Sequence, residues 1–120
     1  MSVLGQMQPE KVLHYFEEIC AIPHGSGNTR AISDYCVAFA RARNLPVWQD
    51  EAENVVIVKA ASAGYEEVPA VILQGHLDMV CDREQGCDLD MEREGLRLKT
   101  DGAYVWAEGT TLGGDDGIAV

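Results

Sequence analysis

The sequence predicts an α/β domain, with a mixed or mostly parallel sheet covered by helices. Three observations carry that expectation: two amphipathic helical patterns, two short runs apolar on both faces, and one alternating hairpin pattern. A length of 120 residues allows one domain with a real core and is too short for two ordinary ones.

Gln8-Pro9-Glu10 reads as a helix start, with proline at the first helical position and an acid in the first turn. Val12, Leu13, Phe16, Ile19 and Cys20 then recur at the spacing of one buried face, and Pro23 stops the helix. The loop HGSGN, His24 to Asn28, leads into a second helix on which Ile32, Tyr35, Cys36, Phe39 and Ala40 repeat that geometry. Asn44-Leu45-Pro46 ends it. Val55-Val56-Ile57-Val58 is a continuous apolar run between Asn54 and Lys59 and predicts a buried strand. After the polar loop SAGYEEVP, Ala70-Val71-Ile72-Leu73 predicts a second one. Asp82 to Gly95 is acidic and irregular. Leu96-Arg97-Leu98 and Tyr104-Val105-Trp106 alternate in polarity around Asp101-Gly102, the signature of a small hairpin. GTTLGGDDG precedes Ile118-Ala119-Val120, which reads as the first turn of a further helix. The 120 residues are therefore expected to be the front part of something longer, with the unpaired strand edges making them marginally stable or prone to associate.

The net charge of −11 opposes binding to nucleic acid or to anionic membrane surfaces. No stretch approaches the roughly 18 apolar residues that span a bilayer. MSVLGQMQPEK lacks the basic and apolar regions of a secretory signal, so a cytoplasmic location is expected. Cys20 and Cys36 fall on apolar helical faces, and Cys81 and Cys87, with five residues between them, miss zinc-knuckle spacing. All four are expected to be reduced thiols.

Functional side chains in open α/β sheets gather at the carboxyl ends of strands. There, VILQGHLDMV delivers His76 and Asp78, whose side chains share one side of an extended chain. An imidazole that ligates a metal through one nitrogen needs an acceptor at the other, and Asp78 can supply it. Alone, His-x-Asp is a weak signal and more often marks a hydrogen-bonded histidine at a strand end than a ligand. In GGDDG, Asp115 and Asp116 repel each other unless a cation or hydrogen-bond donors balance them. They read either as an exposed turn capping a helix or as a carboxylate bridging two metal ions. Asp88-x-Asp90-x-Glu92 begins like a calcium loop, but Arg93 stands where the sharp-turn glycine belongs, so a solvated acidic loop is expected. Gly25-Ser26-Gly27 follows a helix rather than a strand and makes a poor dinucleotide fingerprint. It is expected to cap a helix, with a place beside a binding cleft left open.

EICAIPHGSGNT, IxxYCxxFA, ENVVIVKA, VILQGHLDMV and TTLGGDDGIAV together span nearly the whole chain, and His76 stands 39 residues before Asp115. In these segments the chain resembles the zinc-dependent exopeptidases that include carnosinases, aminoacylases and peptidase T, and within them the dipeptidases of Xaa-His substrates. The resemblance implies that residues 1–120 are the amino-terminal part of a metallopeptidase catalytic domain, incomplete at its C-terminal side. It implies His76 as a zinc ligand, Asp78 as the catalytic-site acid behind it, Asp115 as the carboxylate bridging two Zn2+ ions, and Asp116 as its neighbour across a cis peptide. Mn2+ or Co2+ are alternative metals. The implied reaction is dipeptide hydrolysis by a water activated between the zincs, with a glutamate as general base. The Glu-Glu pair, a later Asp and a distal His belong beyond Val120 in that family, as does a lid or dimerisation domain. Glu66-Glu67 precedes the His-x-Asp segment and does not match that pair. The segment alone is thus expected to be inactive and to bind metal weakly. A small dipeptide is the implied partner, and a homodimer of the longer protein stays open. The competing readings are a deacylase or tripeptidase of the same superfamily, or a non-catalytic acidic module that binds metal or another protein.

Overall fold

A computed structural model describes residues 1–120. The chain forms two compact units, residues 1–32 with 75–120 and residues 33–74. The elements in order are α1 (Glu10–Cys20), α2 (Arg30–Ala42), β1 (Val47–Gln49), β2 (Val55–Ile57), β3 (Leu98–Thr100), β4 (Val105–Ala107) and the single turn α3 (Gly114–Gly117).

The first unit is built on α1. Leu13, Phe16, Ile19 and Cys20 are buried as the spacing predicts, while Val12 sits at the edge of the stripe and is exposed. Pro9 lies one position earlier than expected, at the N-cap, and its carbonyl accepts the Leu13 N–H at 3.1 Å. The helix closes with the Ala21 N–H bonded to the Glu17 and Glu18 carbonyls, just ahead of Pro23, which has no N–H to continue it. The Glu17 carboxylate collects the Ser2 hydroxyl and the Val3 and Leu4 N–H groups. Partial burial raises its pKa, but those three hydrogen bonds outweigh it and leave the group below the usual carboxylate range. This grip lays Leu4 into the core with Leu13, Phe16, Cys20 and Leu98, where Met7, Leu96, Val105 and Leu112 pack against the cluster.

The hairpin matches its sequence signature. β3 and β4 pair antiparallel, Leu98 opposite Ala107 on the buried face and Lys99 opposite Trp106 on the outer one. The turn needs its two central residues. Asp101 Oδ1 accepts the Ala103 and Tyr104 N–H groups, and Gly102 takes a left-handed φ of 92°.

The second unit contains most of α2 and one antiparallel pair. β1 and β2 run with Val47 opposite Ile57 and Gln49 opposite Val55. The connecting turn is tied by Asp50, which accepts both the backbone and side-chain N–H of Asn54. Buried Ser33 is fully used, donating to the Glu53 carbonyl at 2.8 Å and accepting from Gln49 at 2.7 Å. On α2 the buried positions are Ile32, Ser33, Val37 and Ala40, whereas Tyr35, Cys36 and Phe39 are only half-buried. The buried stripe is thus rotated towards Val37 from the one the periodicity predicts. The Arg43 guanidinium covers the Phe39 ring at 3.5 Å.

The predicted sheet is corrected in three respects. Val55–Ile57 is a strand, but its partner is the unexpected Val47–Gln49, the pairing is antiparallel, and Val56 to Val58 face solvent. Val71, Ile72 and Leu73 join no strand and are 82%, 89% and 93% exposed. The only parallel pairing is the single bridge between Gly25 and Met79. The physical reason lies in the backbone: a parallel strand buried on both faces needs a neighbour for its N–H and C=O groups and a helix layer on each side. An apolar run states a tendency to be buried without supplying either.

All four cysteines are free. Burial, with a smaller push from the Glu17 charge, drives the Cys20 thiol up to about 12, so about one part in ten thousand is thiolate at pH 8. An aromatic disulfide reagent at pH 8 is expected to modify exposed Cys81 while leaving Cys20 untouched until the chain unfolds. Modification of both at one rate in the folded protein would mean that α1 does not pack as described.

Candidate functional site

Three segments of the first unit converge. Residues 75–79 run beside the 24–26 loop, where the Met79 N–H donates to the His24 carbonyl at 2.9 Å and the Ser26 N–H donates to the Met79 carbonyl at 3.1 Å. The third segment is the turn at α3. Gly113 enters it with a left-handed φ of 72°, and a Cβ there would stand 2.9 Å from the Met79 sulfur, so both backbone angle and space favour glycine. The Asp115–Asp116 peptide is cis, as the family resemblance implies.

His76 is held at its three nitrogens by its own segment and the α3 turn. Its N–H donates to Asp116 Oδ2 at 2.9 Å. Nδ1 faces the Asp78 carbonyl at 2.9 Å and Asp78 Oδ1 at 3.2 Å. Nε2 faces Asp115 Oδ1 at 3.3 Å. The alternation argument thus brought the right pair together, but the nearer acceptor for Nδ1 is the backbone oxygen of Asp78 rather than its carboxylate. Gly75 makes room for the arrangement, since a Cβ there would lie 2.5 Å from Asp116 Oδ2.

The electrostatics follow the contacts. The Asp78 carbonyl at Nδ1 holds the His76 imidazolium above the usual histidine range. Desolvation opposes this, and Asp115 and the charges of Asp116 and Asp78 reinforce it. The Asp78 carboxyl lies below its ordinary range chiefly because the Ser26 hydroxyl donates to Oδ2. Ser26 was not among the residues singled out for chemistry. The only signal for it was the glycine-flanked loop that left a cleft border open.

The donor set fits a metal in part. Zinc bonds of about 2.0–2.1 Å in a tetrahedron place neighbouring ligand atoms about 3.3–3.4 Å apart. The 3.3 Å between His76 Nε2 and Asp115 Oδ1, a hydrogen-bond distance in this chain, matches the length of that edge. With Nδ1 committed to an oxygen acceptor, the Nε2 lone pair is the one left for a metal. Nevertheless, no group of three or more His, Cys, Asp or Glu side chains is arranged to hold an ion. These two residues can therefore be part of a ligand set and cannot complete one.

Other candidate residues lie elsewhere. His14 pairs with Glu18 along α1 at 3.1 Å, and buried His24 bonds through Nδ1 to the Ile22 carbonyl. Asp88 pairs with Arg97, and Asp90 accepts the Glu92 N–H, so the acidic run serves its own loop as expected. Glu66 belongs to the second unit and accepts the Gly64 N–H. No helix is long and apolar enough to cross a membrane.

No family model matches the chain. It is 38% identical over 120 residues to the cytosol non-specific dipeptidase of Escherichia coli (strain K12), covering all of this chain and 25% of that protein. The crystal structure of aminoacylhistidine dipeptidase from Vibrio alginolyticus superposes on 98% of this chain and 24% of its own, with 37% identity and a TM-score of 0.91. The chain thus spans about a quarter of the length of the relatives it matches. In sequence it is similar over its whole length to one quarter of a cytosol non-specific dipeptidase, and in backbone over 98% of it to one quarter of an aminoacylhistidine dipeptidase.

Proposed function

We propose that this chain is the part of a metal-dependent dipeptidase that contributes His76 and Asp115 to a zinc site, within a protein hydrolysing small dipeptides of the Xaa-His type in the cytosol. The observation that carries the reading is the pair of atoms at 3.3 Å, His76 Nε2 and Asp115 Oδ1, with Nδ1 already held by Asp78. The names of the two relatives support dipeptides as the substrate class.

Each residue has a distinct task in this reading. His76 offers the Nε2 lone pair, and its ring is oriented by the Asp78 carbonyl and carboxylate. Asp115, almost wholly exposed, presents a carboxylate that two cations can share. Asp116 holds the backbone N–H of His76 and so fixes where the ring begins. Bound zinc would supply positive charge that acidifies a water and polarises the scissile carbonyl. The general base and the remaining ligands come from the rest of such a protein, so the 120 residues alone are inactive.

The test uses a protein carrying this chain together with the remainder of its relatives' length. Removing metal with a chelator is expected to abolish hydrolysis of a dipeptide with carboxyl-terminal histidine, and adding Zn2+ back is expected to restore it. The isolated chain given Zn2+ is expected to turn over no faster than its His76→Ala variant. Full activity of the chelated long protein, or turnover by the isolated chain that His76→Ala removes, would overturn the corresponding half of the reading.

A further inference from the structure

We propose that Ser26 is a positioning residue for this site, acting through the carboxylate of Asp78. The proposal rests on the reading of His76 as a metal ligand.

The two oxygens of Asp78 have separate partners. Oδ1 faces His76 Nδ1 at 3.2 Å, and Oδ2 accepts the Ser26 hydroxyl. A carboxylate with one anchored oxygen can still rotate about its side-chain bonds, and a half-exposed one exchanges partners with water. Anchoring the second oxygen fixes the plane of the group, and with it the direction from which Oδ1 meets the imidazole.

The serine is itself fixed. Its N–H donates to the Met79 carbonyl, the Met79 N–H donates to the His24 carbonyl, and Gly25 and Met79 form a parallel bridge. Met79 directly follows Asp78 and is only 3% exposed. The backbone that places the hydroxyl is therefore clipped to the backbone that places the carboxylate. An adjacent glycine lets the two segments lie close, because a Cβ on Gly25 would lie 2.6 Å from the Cys81 sulfur. A serine placed by chance on an exposed loop would turn its hydroxyl to water. This one is delivered to Oδ2 by the loop's own hydrogen bonds.

The chain of contacts runs from Ser26 to the Asp78 carboxylate, from its Oδ1 at 3.2 Å to His76 Nδ1, which the Asp78 carbonyl also meets at 2.9 Å, and through the ring to Nε2, which faces Asp115. Partners that orient a ligand in this way affect metal binding and turnover without touching the metal.

The experiment is a double-mutant cycle in the protein of full relative length. Zinc affinity is read by competition with a chromophoric chelator, alongside kcat and KM on a Xaa-His dipeptide. Ser26→Ala is expected to weaken zinc binding about 10- to 100-fold and to lower kcat by a similar factor with KM little changed. Ser26→Thr, which keeps the hydroxyl, is expected to restore most of both. In an Asp78→Ala background, Ser26→Ala is expected to cost less than about threefold in zinc affinity, because the partner through which it acts is gone. Full additivity in that background, an unaltered zinc affinity in Ser26→Ala, or failure of Ser26→Thr to recover the loss would each overturn the proposal. His76→Ala separates the two levels. If it leaves zinc affinity unchanged, the metal reading falls. If it removes binding while Ser26→Ala is neutral, only the role of Ser26 falls.

Discussion

Replacing His76 with alanine in a protein of the relatives' full length is expected to lower kcat/KM for Xaa-His dipeptides about a thousandfold or more. The size follows from the reading of Nε2 as a ligand. The charge that a metal places at a reacting carbonyl is worth several kcal/mol, and about 4 kcal/mol corresponds to a thousandfold in rate. Asp115→Ala should fall in the same range, because its Oδ1 is the other half of the 3.3 Å pair. His14→Ala is the control. His14 lies on α1, pairs with Glu18 and has no part in the site, so its removal should leave kcat/KM within about twofold. Since the side chain of His76 is half exposed, its loss should leave the far-ultraviolet circular dichroism unaltered. A kcat/KM for His76→Ala within threefold of the parent would remove the metal site from this chain.

The largest expected loss of stability is from Phe16→Ala. Truncating a buried phenylalanine costs about 3–5 kcal/mol, combining lost transfer energy with the cavity left behind. Phe16 is 4% exposed within the cluster of Leu4, Leu13, Cys20 and Leu98. Its ring also lies under α3, since a Cβ on Gly117 would stand 3.3 Å from Phe16 Cε2. The cavity would therefore open directly beneath the turn that carries Asp115 and Asp116. Urea unfolding followed by circular dichroism checks the cost, with Val12→Ala on the exposed edge of the same helix as the reference. That reference should change stability by less than about 0.5 kcal/mol. Equal midpoints for the two variants would refute the core assignment.

Much of this was legible because it is local. The α1 stripe repeats with the helical period, and the hairpin announces itself through Asp101-Gly102, whose side chain and positive φ make the turn. His76 and Asp78 meet because they are two residues apart, although neither lies in a strand. What failed to show is non-local. The apolar runs at 55–58 and 70–73 carry no information about which backbone will pair with them, so an antiparallel pair with Val47–Gln49 and an unpaired segment were both missed. Val47–Gln49 has only three residues, too short to display a period. On α2, Val37 rather than Tyr35 lies in the buried row, because half-buried aromatic residues blur the edge of a stripe. Ser26 was passed over because its partner is 52 positions away, and no spacing rule reaches that far.

That distance has a temporal consequence. Ser26 meets Asp78 across 52 positions and His76 meets Asp116 across 40, while α1 and the 98–107 hairpin close over far shorter spans. Loop-closure entropy rises with the length enclosed, and contacts distant along the chain form slowly. The helix and the hairpin can each organise early by themselves, but packing one on the other joins Leu13 to Leu98 over a longer span than either contact of the site. A newly made chain would pass through a stage in which its local elements are recognisable and His76 still lacks its neighbours. An ion arriving at that stage would find scattered carboxylates, so competence comes with the long-range closure of the fold and not with its local elements.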